Sequence, residues 1–180
     1  MKRSEIRKAQ MRAAACFERA HIALTPEEIQ SIEVADFGLN DLEHTGLELI
    51  TYVNTDRVCA KEMVLFPGQT CPQHRHPTVD GHPGKEETFR CRMGTVYVYV
   101  SGPAAAAPAT QPPKGVYDVF HEIILTRGMQ YTLLPDTWHW FQAGPEGAVV
   151  SEFSTHSTDE NDIFLDPAIR RIPEIEEDER

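Results

Sequence analysis

Gly68-Gln69-Thr70-Cys71-Pro72-Gln73-His74-Arg75-His76 is the stretch that decides how this chain folds. In an extended chain, residues two apart point to the same side. His74 and His76 therefore face one way and Arg75 the other. Paired imidazoles suit Mn, Fe, Co, Ni or Zn, and a nearby carboxylate shifts the preference towards harder ions. An H-x-H pair alone is a weak signal. It gains weight when further donors fall on separate strand ends that a barrel can bring together.

Two such donors lie downstream. Glu87 opens a β-forming run, Glu87–Val100, in which Thr95-Val96-Tyr97-Val98-Tyr99-Val100 alternates. Glu86 is its rival. If Glu87, Phe89 and Cys91 face inward, then Glu86, Thr88, Arg90 and Arg92 face outward, which suits their polarity. Register thus prefers Glu87. His139 lies in Leu133-Leu134-Pro135-Asp136-Thr137-Trp138-His139-Trp140-Phe141, read as a turn between two strand-like runs. It is either a third ligand or a core histidine bonded within an aromatic cluster.

Around these residues the pattern is that of one all-β unit behind a helical start. Residues 4–20 carry Ile6, Ala9, Ala13, Phe17 and Ala20 near helical spacing, with Ser4 as the expected cap. Thr25-Pro26-Glu27-Glu28 reads as a capping box opening a second, short helix. From residue 46, the runs Leu47–Val53, Val58–Phe66, Glu87–Val100, His121–Leu125, Met129–Leu134 and Ala148–Phe153 read as strands. Pro77–Lys85 and Gly102–Gly115 read as insertions, the second as a surface loop. The tail from Pro173, with Glu174, Glu176, Glu177, Asp178 and Glu179, reads as a solvated acidic end. The expectation is a single domain over 1–180: a helical extension (1–45), a barrel or jelly roll (46–155) and a C-terminal segment (156–180).

Composition narrows the function classes. The 180 residues include 17 basic and 28 acidic side chains, a formal charge of −11. That balance disfavours nucleic acid and anionic membranes as partners. No apolar run reaches membrane-span length, and the charged start Met1-Lys2-Arg3-Ser4 does not read as a signal peptide. Cys16, Cys59, Cys71 and Cys91 form no C-x-x-C pair. They are expected to be reduced, and the protein cytoplasmic.

Gly68, His74 and His76, followed by Glu87 and Gly94, resemble the first cupin motif, with the acid displaced by the insertion. Gly128, Pro135 and His139 resemble the second, with a short Pro-to-His spacing. A narrower resemblance absorbs both departures. Lys61-Glu62-Met63, Cys71–His76, Pro83-Gly84-Lys85-Glu86-Glu87-Thr88-Phe89-Arg90-Cys91-Arg92, Thr137–Gln142, Ser151–Thr155 and Asp159-Glu160-Asn161-Asp162 are together similar to the D-lyxose isomerase family of cupins. The resemblance spans most of residues 50–170. It implies a cupin barrel (a double-stranded β-helix) and interconversion of D-lyxose with D-xylulose and of D-mannose with D-fructose. It also implies a divalent ion, Mn²⁺ before Co²⁺, Zn²⁺, Fe²⁺ or Ni²⁺, and a homodimer.

Such chemistry needs an ion to stabilise an enediolate oxygen and a carboxylate to move a proton between C2 and C1. His74, His76, Glu87 and His139 are the expected ligands. Glu152, in the apolar run Val149-Val150-Ser151-Glu152-Phe153, is the preferred base, or else an outward-facing strand residue. Lys61 and Lys85 are candidates to bind a hydroxyl or a developing oxyanion, Lys61 being equally readable as a surface lysine. Glu87 could also contribute to catalysis. Phe89, Trp138 and Phe141 are candidates for an apolar wall, and Asp162 for a contact from the C-terminal segment. An Fe(II) dioxygenase and a non-catalytic sugar-binding cupin are the competing readings.

Overall fold

The computed structural model describes residues 1–172 and 174–178. Helices α1 (Arg3–Arg19) and α2 (Pro26–Ser31) come first. Nine strands follow: β1 (Glu33–Ala35), β2 (Leu47–Asn54), β3 (Cys59–Leu65), β4 (Thr70–Arg75), β5 (Glu87–Val100), β6 (His121–Thr126), β7 (Gln130–Leu133), β8 (His139–Ser154) and β9 (Ile163–Phe164). All strand pairs are antiparallel. This is the all-β, cupin-type barrel with helical extension that the sequence leads one to expect.

Two long strands build it. β5 and β8 pair from Glu87↔Ser154 to Val100↔His139, with register shifts around Cys91–Val96. The C-terminal half of β8 pairs β3, and its N-terminal half pairs β4. The ribbon thus contributes to two sheets, β1-β2-β3-β8-β5-β7 and β9-β4-β8-β5-β6. The change of sheet occurs where Gly94 (φ 73°) meets Gly147 (φ 77°). A Cβ on Gly94 would stand 2.0 Å from the Gly147 carbonyl oxygen, so only glycine permits the crossing.

Strand alternation explains both faces. Met63, Leu65, Phe89, Cys91, Val98, Phe141 and Val150 point between the sheets and form the core. Their neighbours Ile50, Val64 and Val149 point outward and are covered by Ala9, Ala13 and Phe17 of α1. The helical extension is therefore a layer over the sheet. Tyr99 and Trp140, on the outer face of the second sheet, stack at 3.9 Å beneath Val119.

Several expectations need correction. Ser4 does not cap α1; the cap position is Lys2, whose N–H donates to Glu5 Oε2 at 2.8 Å. The Ser4 N–H instead donates to Asp178 Oδ2 at 3.1 Å, and Arg3 pairs with Glu177 at 2.7 Å. The described part of the acidic tail is exposed, as expected, and also touches the positive end of α1; Pro173 and Glu179 lie outside the described residues. The Thr25–Glu28 capping box is present. His139 opens a strand rather than sitting in a turn. The segments 33–35 and 163–164 add strands on either side of 46–155.

Candidate active site and metal centre

The site forms where strand ends meet. His74 is on β4, and His76 is one residue beyond its end. His139 opens β8 directly opposite His74, and Glu87 opens β5. All four are buried, Glu87 at 1% exposure. Glu86 is exposed. The ligand atoms of the three histidines lie within 4.8 Å of one another. Glu87 Oε1 is 3.1 Å from both His76 Nε2 and His139 Nε2.

The hydrogen bonds define how the rings are turned. His74 Nδ1 donates to the Pro72 carbonyl at 2.8 Å, and His139 Nδ1 donates to the Thr137 carbonyl at 2.9 Å. A carbonyl can only accept, so in both rings Nδ1 carries a proton and Nε2 is the nitrogen turned to the centre. His139 Nε2 is buried and has no hydrogen-bond partner among the described residues. It faces Glu87 Oε1 at 3.1 Å, and a cation held between the two would give both atoms a partner. Burial, with His139 and His76 alongside, pushes His74 well below the usual histidine range and keeps it neutral. Burial also opposes charge on His76, but the Glu87 carboxylate outweighs it and lifts the ring to about 9. Burial opposes charge on Glu87 as well, yet Lys85 and His76 hold its carboxyl well below the usual range. Three imidazoles and one ionised carboxylate converging on one point fit a divalent transition ion.

A row of alternating charges leads away from this cluster. Lys85 Nζ lies 2.9 Å from Glu87 Oε2, 3.0 Å from Glu152 Oε1 and 3.5 Å from Asp159 Oδ1. Lys61 Nζ lies 2.6 Å from Asp159 Oδ2 and 3.8 Å from Glu152 Oε1, and donates to Ser157 Oγ at 2.9 Å. Arg171 closes the row by pairing with Asp159 and Glu33. Burial works against the charge on Asp159, but Lys85 and Lys61 hold its carboxyl far below the usual range. Register explains Glu152: it stands between Lys61 on β3 and Phe89 on β5, with Val150 on the same inner face. Ser151 points to the other side and donates to Glu62.

The insertion before Glu87 has a structural purpose. Its buried Gly84 packs against the His76 backbone so closely that a Cβ would be 1.9 Å from the His76 carbonyl oxygen. That approach places Lys85 inside the barrel. Glu87, Lys61, Lys85, Glu152, Phe89, Phe141 and Asp162 all line the cavity. Trp138 does not. Alternation turns it to the outer face, where the Arg75 guanidinium lies 5.1 Å over its ring. Asp162 accepts from His76 Nδ1 at 2.5 Å. Asp159, Arg171 and Phe164 are wall residues that sequence reasoning did not single out. Their segment has no periodic pattern to flag them. The free volume at the centre is about 30 Å³, room for about two waters.

Comparison with known proteins places this chain among sugar isomerases. The family model for D-lyxose isomerase matches residues 113–180. The chain is 62% identical over 180 residues to the D-lyxose/D-mannose isomerase of Thermosediminibacter oceani, covering 98% of this chain and 99% of that protein. It is 59% identical to the D-lyxose ketol-isomerase of Cohnella laeviribosi, covering 99% and 100%. Among solved structures it resembles L-ribose isomerase from Acinetobacter sp. DL28 in complex with L-ribose, with a TM-score of 0.77, 17% identity and 98% of each chain covered. The ligand-free L-ribose isomerase of Cellulomonas parahominis gives a TM-score of 0.76 at 18% identity, again over 98% of each chain. At such identities the likeness is one of fold.

Proposed function

Since the chain belongs to the D-lyxose isomerase family, we propose that it interconverts D-lyxose with D-xylulose, and D-mannose with D-fructose, at a divalent ion held by His74, His76, Glu87 and His139. The observation that carries this reading is Lys85, whose single ammonium joins the ligand carboxylate Glu87 to the second buried carboxylate Glu152. One carboxylate is thereby assigned to the ion and the other is left beside it for proton transfer.

The ion, Mn²⁺ on this reading, would supply a Lewis acid for two adjacent sugar oxygens. Glu152 removes the proton from C2 of the open-chain aldose and returns it to C1, while the O2 proton passes to O1. Lys85 holds the Glu152 carboxylate in place, and Lys61 approaches the same oxygen at 3.8 Å. Phe89 and Phe141 close the apolar wall and exclude water. Glu87 acts here as a ligand. The same reading takes the protein to be a cytoplasmic homodimer.

The test is a protein stripped with chelator, restored with individual ions and assayed without oxygen on D-lyxose and D-mannose. Ketose should form only after an ion is restored. Ion-independent conversion overturns the metal assignment. No conversion of either aldose with any ion overturns the isomerase reading, and a strict need for oxygen would point to the dioxygenase alternative.

A further inference from the structure

The three imidazoles are not held in the same way. His74 and His139 each donate Nδ1–H to a main-chain carbonyl two residues back in their own segment. Their orientation is therefore local. His76 lies past the end of β4, and its Nδ1 partner is the Asp162 carboxylate, 86 residues further along the chain, at 2.5 Å. The Asp162 side chain is only 6% exposed.

Asp162 reaches this place because the C-terminal segment is anchored on the strand that carries the histidines. Phe164 pairs with His74, Ile163 pairs with Arg75, and Leu165 N–H donates to the Gln73 carbonyl at 3.0 Å. The same segment forms the wall of the cavity through Asp159, Asp162, Phe164 and Arg171.

We infer that Asp162 is a positioning residue: it fixes the tautomer and orientation of His76 from the C-terminal segment, and so links closure of that segment to ion binding. This rests on the metal reading above and deepens it. A carboxylate behind a ligating imidazole raises its basicity and fixes the ring, and losing one typically costs 10–100-fold in ion affinity. Linkage is reciprocal, so whatever the segment contributes to ion affinity, the ion returns as stability of the segment.

The experiment is titration of chelator-stripped full-length protein with Mn²⁺, paired with hydrogen exchange over residues 156–172. Asp162→Ala should weaken Mn²⁺ binding about 10–100-fold. Asp162→Asn, whose amide oxygen still accepts from Nδ1–H, should fall between Asp162→Ala and wild type. Glu160→Gln, an exposed neighbour, should bind as wild type does. Mn²⁺ should slow exchange at residues 163–165 in wild type and lose that effect in Asp162→Ala. Wild-type affinity in both Asp162 variants overturns the inference while leaving the metal centre intact. So does an Asp162→Ala protein whose only defect at saturating Mn²⁺ is a raised KM, because Asp162 would then be a sugar contact. A wild-type protein that binds no divalent ion overturns the metal reading and this inference together.

Discussion

Lys85 Nζ lies 3.0 Å from Glu152 Oε1, with both side chains about 5% exposed or less. The contact joins the residue delivered by the insertion to the C-terminal end of β8. It also isolates Glu152 from solvent while keeping it one ammonium away from Glu87. Replacing Glu152 by Gln keeps the shape and removes the proposed base. Isomerisation should fall by about 10²–10⁴-fold. Mn²⁺ affinity, measured by titration, should stay near wild type.

Lys85→Met tests the same contact from the other side. It leaves Glu87, Glu152 and Asp159 without their shared cation. Removing one partner of a buried charge cluster typically costs about 3–5 kcal/mol. Urea unfolding of the chelated protein should show a loss of that order, and Mn²⁺ should recover part of it by neutralising Glu87. An unchanged midpoint would mean that the carboxylates do not depend on Lys85.

Gly84→Ala should be worse than its chemistry suggests. The added methyl would sit 1.9 Å from the His76 carbonyl oxygen, so either His76 or Lys85 must move. Overpacking of this kind costs about 1–3 kcal/mol, and activity should fall by much more than stability. Gly81→Ala is the comparison. It lies in the same insertion, meets nothing within 4 Å and suffers only the strain of a positive φ of 80°, about 1–2 kcal/mol. It should remain active.

Glu48 makes a pH prediction. It is fully buried under α1, with Gln69 donating to Oε1 at 3.3 Å and Oε2 unpartnered. Burial pushes its carboxyl up to about 8. The folded chain therefore keeps a proton that the unfolded chain releases near the ordinary value. Stability falls as pH rises from about 4.5 to about 8, by roughly 1.4 kcal/mol per unit from this group. Glu48→Gln should be neutral at pH 5 and more stable than wild type at pH 8, measured by denaturant unfolding at both values.

Some of this was legible in the residues. Strict alternation in β5 distinguishes Glu87 from Glu86, because one step of register moves a side chain from core to solvent. The same parity argument accounts for His74 and His76, and for Glu152 against Ser151. What could not be read depends on contacts distant in sequence. Only Ala148–Phe153 reads as a strand and His139 as a turn, whereas β8 is one strand from His139 to Ser154 that changes sheets. Asp159 and Arg171 lie in a segment without periodicity, and only tertiary pairing with β4 brings that segment to the cavity. That the exposed acidic tail also touches the start of α1 could not be read, because that partner lies at the other end of the chain.

The bend at Gly94 and Gly147 has a consequence for how the barrel is held. Laid straight, the fourteen-residue β5 would keep Glu87 roughly 40 Å from the end of the ribbon where Val100 opposes His139. In the folded chain Glu87 Oε1 and His139 Nε2 are 3.1 Å apart. The ribbon is a belt wrapped once around the core, and the candidate centre is its buckle. An ion fastened there is a cross-link between the two ends of a single long pairing. At a hundredfold excess over its dissociation constant it would add about 2.7 kcal/mol to folding, so the melting temperature should rise with ion concentration even in Glu152→Gln, where no sugar is turned over.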